Sequence, residues 1–590
     1  MVCAIKILNI LVIRLFFRGL FFGRIRLIRA IFWGSMGCGG DDQQRGEGGI
    51  PKYFFMSTNR RQFIKTAGMG IVGVSFLGEI ENVWWGEGFG RATPESQGVS
   101  SRSIRDFLAA ANASGISWHS LMLVRHGQVV AEGWWKPYEP GFVHSLYSLS
   151  KSFTSTAIGL LVKEGKLDIH ASVVSFFPDD LPGTVSENLR QVTVRSLLTM
   201  NTGHAEDTMP KMRASSANWV RTWLAQPVEY APGTHFLYNT GNTYMLGAIL
   251  HKVTGLTLED YLKPRLFQPL GFTGYDWEVS PQGLNTAGYG LRVKTEDIAK
   301  LGQLYLQKGK WKGSEILTGQ WVDEATSKQT ESQVNNGDWS EGYGYQFWRC
   351  THGFYRGDGA YGQFCIVMPQ YDAVLAVTGQ SPDMQKSMNI IWDHIPGGMK
   401  DGVLPENSEE QMALKKELSL LELPVVAGGI SVLPGVKKGG GSSLAERGGG
   451  SVPAAAYDRK HWVLAENEFG IRRLMFDFSE KGGVLYVEKD GRPAKLEFGW
   501  GKWVLSRSRE MYVFGAGGLF PMPSRVAGTA SWVSDHELRL NLRFVEAIFG
   551  DTLICRFEGS ELKVVFLNSV AETATKKTVD PRKGLEGRIG

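Results

Sequence analysis

The clearest hydrophobic pattern lies near the C-terminus. Leu538, Leu540, Leu542 and Phe544 alternate strictly with polar residues, which predicts a strand with one buried face. Further short apolar runs separated by Gly or Asp predict strands at 474–478, 484–488, 496–498, 553–557 and 562–567. Many short strands at this spacing indicate that residues 457–590 form an antiparallel β-barrel or sandwich.

Upstream, residues 91–398 mix helical and strand patterns. After Ser148 the apolar residues recur at helical spacing, and Gly165 gives a helix stop. This pattern predicts that Ser148 lies at the N-terminus of a helix. Lys151 then lies one turn later on the same face.

Residues 399–456 connect the two patterned regions. Ser408 and Gln411 predict a capping box that opens a helix. Two Gly-Gly-Gly-Ser runs follow at 439–442 and 448–451, which is the composition of a flexible linker.

The charge of the chain is concentrated at its start. The net charge is +5, but residues 1–65 carry eleven Lys or Arg and only three acidic residues. The remainder is therefore weakly acidic, at −3, and offers no electrostatic footprint for nucleic acid.

Arg60 and Arg61 precede an apolar stretch from 66 to 77, the layout of a secretory leader. The pair resembles a twin-arginine signal over 56–90, which predicts an exported, periplasmic or extracellular bacterial protein that meets a membrane only during export. A basic surface helix is the alternative. Met56 is a candidate start, which would make 1–55 spurious or a leader extension. Several arginines between 14 and 29 argue against a membrane anchor there.

The cysteines and histidines do not suggest a metal site. Cys350, Cys365 and Cys555 lack metal-ligand spacing, and the eleven His residues are scattered. We expect no metal or organic cofactor. A Cys350–Cys365 disulfide is possible if those segments are neighbouring strands, and the sequence leaves this open.

Ser148 and Lys151 form the candidate chemical pair. A serine hydroxyl needs a nearby base or a stabilising field to act as a nucleophile. A helix N-terminus supplies the field, and a buried lysine with a depressed pKa can take the proton. Alone, a Ser-x-x-Lys spacing also fits an ordinary polar helix start.

The context around this pair strengthens the interpretation. Residues 146–155 (LYSLSKSFTS) resemble the active-site helix of the serine β-lactamase and penicillin-binding-protein superfamily, most closely the group related to class C β-lactamases, esterases and D-aminopeptidases. Residues 121–127 resemble its first core strand, and residues 194–200 and 301–306 resemble two of its helices. The resemblance implies an α+β fold: an antiparallel sheet flanked by helices plus a helical subdomain. The C-terminal strands resemble the lipocalin-like domain of some members.

The second motif of that superfamily is Tyr-x-Asn, and Tyr238 falls on its tyrosine. The resemblance implies that this phenol acts with Ser148 and Lys151, where it could ionise in part and serve as a general base. Thr240 replaces the usual Asn. A packing tyrosine is the alternative for Tyr238.

The third motif is Lys- or His-x-Gly on the strand that lines the site. Gly359 is the candidate motif glycine, Gly357 takes the place of the cation, and Arg356 is adjacent but out of register. The resemblance places an oxyanion hole at the backbone N–H groups of Ser148 and Ala360. The two glycines could instead mark a turn.

These observations predict an exported serine hydrolase that cleaves a small ester, amide or peptide through an acyl-enzyme. Without the third-motif cation, an ester or simple amide is favoured over a β-lactam. The alternatives are a D-amino-acid peptidase or weak β-lactamase, and a non-catalytic module that binds cell-wall peptide. A homo-oligomer remains open.

Overall fold

The computed structural model describes residues 88–215, 218–332, 337–425, 456–489, 492–510, 513–515, 522–569 and 580–590. The predictions for the leader at 1–87 and for the Gly/Ser linker fall outside these ranges. Within them, no helix combines the length and apolar character that crossing a bilayer requires.

The first domain is built on a seven-stranded sheet. Its strands, with those of two small accessory sheets, are β1 (Gly90–Arg91), β2 (Ser117–Arg125), β3 (Gln128–Trp134), β4 (His144–Ser145), β5 (Asp276–Trp277), β6 (Leu291–Val293), β7 (Lys310–Trp311), β8 (Ser314–Glu315), β9 (Trp348–Arg349), β10 (Tyr355–Gly359), β11 (Gln363–Met368) and β12 (Ala373–Gln380). The central order is β1-β3-β2-β12-β11-β10-β9, and all neighbours are antiparallel except β1 and β3.

Helices cover both faces of this sheet. They are α1 (Ser101–Ala113), α2 (Ser150–Lys163), α3 (Glu187–Gln191), α4 (Val194–Leu198), α5 (Met209–Ala214), α6 (Trp219–Leu224), α7 (Thr240–Thr254), α8 (Leu258–Leu262), α9 (Thr295–Leu306), α10 (Gly319–Thr326), α11 (Met384–His394) and α12 (Ser408–Ser419). On β2, Met122 and Val124 pack with α2 and α9, whereas Leu121 and Leu123 pack with α1 and α11. The strand is therefore apolar on both faces, as a central strand covered on both sides must be.

The helices from α3 to α8 form a layer beside α2 and share its hydrophobic core. The predicted α+β fold, with an antiparallel sheet, flanking helices and a helical subdomain, is confirmed.

The second domain is a closed β-barrel. Its strands are β13 (His461–Leu464), β14 (Ile471–Ser479), β15 (Gly482–Lys489), β16 (Arg492–Trp500), β17 (Val504–Glu510), β18 (Ser524–Ser534), β19 (Glu537–Phe544), β20 (Gly550–Glu558), β21 (Glu561–Asn568) and β22 (Leu585–Ile589). Nine of them close into a ring where β16 pairs with β18, and β17 lies beside β18. The inward side chains of β19, Leu538, Leu540 and Leu542, are fully buried.

Of the two architectures predicted for residues 457–590, a barrel and a sandwich, the structure shows the barrel. All six predicted strand segments lie within observed strands, whereas β13, β17, β18 and β22 were not predicted. Along β18 the small residue Gly528 packs directly against Phe498 of β16, at the point where the ring closes.

One local prediction, the capping box at Ser408 and Gln411, was wrong, and the open question of a Cys350–Cys365 disulfide is answered. The cap of α12 is Asn407, whose side chain accepts a hydrogen bond from the Glu410 N–H, so Ser408 is already helical. Cys350 and Cys365 are free and buried. Cys350 follows β9 and Cys365 lies on β11, so β10 separates them and a disulfide cannot form.

Candidate active site

Ser148 lies where the chain turns from β4 into α2. A single 3-10 turn, Tyr147–Leu149, precedes the helix, so the serine stands at its N-terminal end as predicted. Tyr147 has a φ of +49°, which is uncommon for a residue with a side chain. Ser148 is only half-buried, while Leu149 and Ser150 beyond it are buried. The serine is therefore partly exposed, whereas the helix that follows it is buried in the core.

Lys151 lies directly behind the serine, with a relative exposure of 1%. Its Nζ donates to Ser148 Oγ at 3.0 Å, to the Gly288 carbonyl at 2.9 Å and to Thr240 Oγ1 at 3.4 Å. Within the described ranges this amine makes no ion pair. The three contacts thus supply one acceptor for each ammonium proton.

Burial sets the protonation state of this lysine. It lowers the pKa of Lys151 to about 7, and the negative charges of Asp207 and Asp358 oppose the shift only in part. Near neutral pH a large fraction of Lys151 is therefore a free amine, with a lone pair available to the Ser148 hydroxyl.

Tyr238 is the third residue that the sequence analysis assigned to the site, with Ser148 and Lys151. The Lys151 ammonium lies 4.9 Å from the centre of its ring, and its phenol interacts with the Ser148 side chain. Trp348 stacks on the ring at 5.5 Å. Burial, with the nearby Asp358 carboxylate, raises the pKa of Tyr238, so the phenol stays protonated in the resting protein. This differs from the partial ionisation that the motif suggested.

The two residues after Tyr238 have different roles, one in capping a helix and the other in contacting Lys151. Asn239 caps α7 by accepting from the Gly241 N–H at 3.0 Å, and it also binds Thr208. Thr240 carries the hydroxyl that reaches Lys151. The substitution of Thr for the usual Asn therefore retains a polar contact to the lysine.

The third-motif glycines lie on β10, next to the start of α2. A Cβ at Gly359 would collide with the Leu146 carbonyl oxygen, and one at Gly357 would collide with Leu149 and Ser152. The absence of a side chain at these two glycines therefore lets the strand pack against the segment that carries the serine.

Arg356 is not available to bind a substrate carboxylate. It is fully buried, forms an ion pair with Asp358 at 2.9 Å and lies over the Trp339 ring at 4.4 Å. Successive side chains of β10 point to opposite faces, so the side chain of Arg356 points away from the face that holds Gly357. The site therefore lacks a cation at the third motif, as the sequence indicated.

Two carboxylates near Lys151 were missed by the sequence analysis. Asp358 is tied to Arg356, and Asp207 accepts from the backbone N–H groups of Thr240 at 2.9 Å and Met209 at 3.0 Å. Asp358 is the middle residue of the third motif, where the motif specifies no residue type, and Asp207 belongs to no motif that the sequence analysis used. No local signal therefore marked either carboxylate.

Ala360 is exposed in the turn between β10 and β11. Its neighbour Tyr361 has a φ of +69°, and the ring of Tyr361 lies 5.7 Å from that of Tyr147. The turn that carries Ala360 thus lies beside the residue that precedes the serine.

Comparison with known proteins agrees with this architecture. The Beta-lactamase family matches residues 101–395, half of the chain. The chain is 26% identical to 6-aminohexanoate-dimer hydrolase of Paenarthrobacter ureafaciens, over 45% of this chain and 73% of that protein. It is 25% identical to a β-lactamase of Escherichia coli K12, over 29% of this chain and 50% of that protein.

It is also similar to lovastatin esterase of Penicillium rubens, with 27% identity over 23% of this chain and 40% of that protein. Among solved structures, a penicillin-binding protein homologue from Caulobacter crescentus is 16% identical, with 51% of this chain and 97% of that chain covered at a TM-score of 0.42. The family match covers every strand of the seven-stranded sheet except β1, together with α2 and the turn after β10. The chain therefore belongs to the β-lactamase family of serine hydrolases.

Proposed function

We propose that this protein hydrolyses an ester or simple amide through an acyl-enzyme formed on Ser148. The observation that carries the proposal is the 3.0 Å contact between Ser148 Oγ and the buried Lys151 Nζ. A serine becomes a useful nucleophile only when a neighbouring group can take its proton. An uncharged amine at hydrogen-bonding distance is such a group.

In the first step, Ser148 Oγ attacks the substrate carbonyl carbon and its proton passes to the Lys151 amine. The carbonyl π electrons move to oxygen, and the backbone N–H groups of Ser148 and Ala360 are proposed to hold this oxyanion. The exposure of Ala360 and the packing of β10 against α2 support that assignment.

In the second step, the oxyanion collapses and the bond to the leaving group breaks. Tyr238, which is protonated at rest, donates a proton to the leaving oxygen or nitrogen, and the Lys151 ammonium can restore it. Water then attacks the acyl carbon by the same route, which releases the acid and frees Ser148. We thus assign the basic role to Lys151 and the acidic role to Tyr238.

The substrate class follows from the third motif. Arg356 is buried in its pair with Asp358, so β10 offers no free cation to bind a carboxylate such as that of a β-lactam. We therefore favour uncharged esters or amides over β-lactams and D-amino-acid peptides. Hydrolysis of p-nitrophenyl esters together with inertness toward nitrocefin would support this choice.

The leader motif supports a further part of the proposal, that the enzyme acts outside the cytoplasm. The paired Arg60 and Arg61 before an apolar stretch are typical of an export signal. Fractionation of cells that express the full chain tests this. Enzyme that remains in the cytoplasm would contradict it.

The nucleophile is tested by covalent labelling. We expect a fluorophosphonate to add one phosphonyl group per chain, and peptide mass mapping to place it on Ser148. Adduct on another residue would refute the assignment. A stable acyl adduct from p-nitrophenyl acetate, with no turnover, would instead indicate a peptide-binding module.

The pH dependence tests the base. Because Lys151 must be uncharged to accept the proton, and its pKa is about 7, we expect kcat/KM to rise with pH and to level off above about 7. Glu278, beside Tyr147, also has a pKa raised by burial to about 7. In a Glu278→Gln variant the acid limb should remain. A limb that disappears in that variant would assign the titration to the carboxylate and contradict the role of Lys151.

A further inference from the structure

The barrel contacts the segment that leads into Ser148. The turn between β19 and β20, residues 545–549, lies against β4. There the Ser145 N–H donates to the Glu546 carbonyl at 3.1 Å, and the Tyr138 hydroxyl donates to the Ala547 carbonyl at 3.4 Å. Val545 is fully buried among apolar residues of the first domain. This turn is therefore packed into the first domain three residues before the nucleophile.

The last residue of the turn, Phe549, lies beside two aromatic residues of the site. Its ring centre is 6.3 Å from that of Tyr147 and 6.4 Å from that of Tyr361, both in edge-to-face geometry. Tyr147 precedes Ser148, and Tyr361 follows Ala360. All three residues are half-buried, although the hydroxyl of Tyr147 is itself buried. Together they form an aromatic wall next to the reacting groups.

The turn that carries Phe549 is held rigidly. The buried carboxylate of Glu546 accepts hydrogen bonds from Arg509 at 2.7 Å and from the Arg525 backbone N–H at 3.2 Å. The Phe544 N–H donates to the Phe549 carbonyl at 2.9 Å and closes the turn. A ring fixed in this way can bind an apolar group without first losing conformational freedom.

We propose that Phe549 determines specificity, and that the barrel is a working part of the active site. With Tyr147 and Tyr361 it would bind an aryl or branched alkyl group of the substrate. Aromatic rings favour such groups through buried apolar area and edge-to-face contacts. The proposal rests on the proposed acyl-transfer function of Ser148 and extends it by naming the substrate class.

The test compares Phe549→Ala with the wild type in the full chain, on two pairs of esters. One pair varies the acyl group, p-nitrophenyl phenylacetate against p-nitrophenyl acetate. The other varies the leaving group, phenyl acetate against ethyl acetate. We expect the preference for the aryl member of at least one pair to fall about tenfold, because the variant loses apolar contact with that group. Unchanged preferences in both pairs would overturn the proposal.

Phe478→Ala is the matched control. Phe478 is another half-buried barrel phenylalanine, and its ring contacts Phe476, Trp500 and Trp532, all within the barrel. Its loss should leave both preferences unchanged. A fall equal to that of Phe549→Ala would show a general effect of barrel damage and overturn the assignment.

Two further measurements keep the test decisive. If Phe549→Ala does not fold, Phe549→Leu takes its place, since it keeps an apolar side chain but lacks the ring. The rate of labelling by a small fluorophosphonate reports whether Ser148 is intact. Normal labelling with unchanged preferences refutes the role of Phe549 alone, whereas a wild type that neither labels nor hydrolyses any ester refutes the proposed function itself.

Discussion

Replacing Ser148 by alanine is expected to lower kcat for ester hydrolysis by about 10⁵-fold or more, because no acyl-enzyme can then form. Small changes in KM are expected, since the hydroxyl contributes little to substrate binding before reaction. Single-turnover kinetics with p-nitrophenyl acetate, read against the spontaneous rate, measure the effect. The burst of p-nitrophenol that acyl-enzyme formation produces should be absent in this variant.

The control for this variant is Ser155→Ala. Ser155 lies two turns later, on α2, and is buried. Its replacement by alanine removes the same chemical group, a hydroxyl. Its kcat should stay within a few fold of the wild type. Residual burst kinetics in Ser148→Ala would mean that another residue is acylated.

Replacing Lys151 by methionine should abolish turnover and, unlike most core changes, stabilise the fold. We expect kcat to fall by at least about 10³-fold, because the proton of Ser148 then has no base to receive it. Burial desolvates the amine, and no carboxylate of the described residues forms an ion pair with it, so an uncharged side chain of similar length removes that penalty. Such an exchange of stability for activity is common at catalytic positions.

The size of the stability gain depends on pH. The pKa of Lys151 is about 7 in the folded protein, below its usual value of 10.5, so the unfolded chain binds more protons between these limits. The destabilisation by Lys151 is therefore complete below pH 7 and fades as the pH rises toward 10.5. Thermal denaturation should show a larger gain in Tm for Lys151→Met at pH 6 than at pH 9.

Lys300→Met provides the contrast. Lys300 is also buried, but it lies 3.7 Å from the buried carboxylate of Asp297. Its removal leaves that carboxylate without its cation, so Tm should fall rather than rise. A decrease of Tm in both variants would contradict the view that Lys151 is held at the expense of stability.

The extent to which sequence predicts this site depends on the distance along the chain. Ser148 and Lys151 are one helical turn apart, so spacing alone placed them together. The helix ends at Lys163, and Gly165 lies just beyond its cap with a φ of +66°, as a helix stop requires. Tyr238 is about ninety residues away. Only the family resemblance assigned it to the site, because no local pattern specifies which tyrosine packs against a given lysine.

Contacts between segments that are distant along the chain could not be predicted from the sequence. Asp207 and Asp358 act on Lys151 through space from separate segments. Phe549 stands in a short turn between two strands, and its contact with Tyr147 spans some four hundred residues. No periodicity encodes such a pairing.

The strands of the barrel also differ in how well the sequence predicts them. Strand β19 was predicted because its inward residues are large and alternate. Strand β18 was missed because the closure of the barrel requires small residues such as Gly528 and Ala530, which blur the hydrophobic pattern. Where packing demands small side chains, the hydrophobic signal weakens.

The packing of Val545 and Ala527 into the first domain has a consequence for how this chain can evolve. The barrel is held on the first domain by contacts of its own surface. The few barrel positions that meet the first domain should therefore change only in concert with their neighbours across the interface. A new preference for substrate could then arise in the barrel while the chemical groups stay fixed.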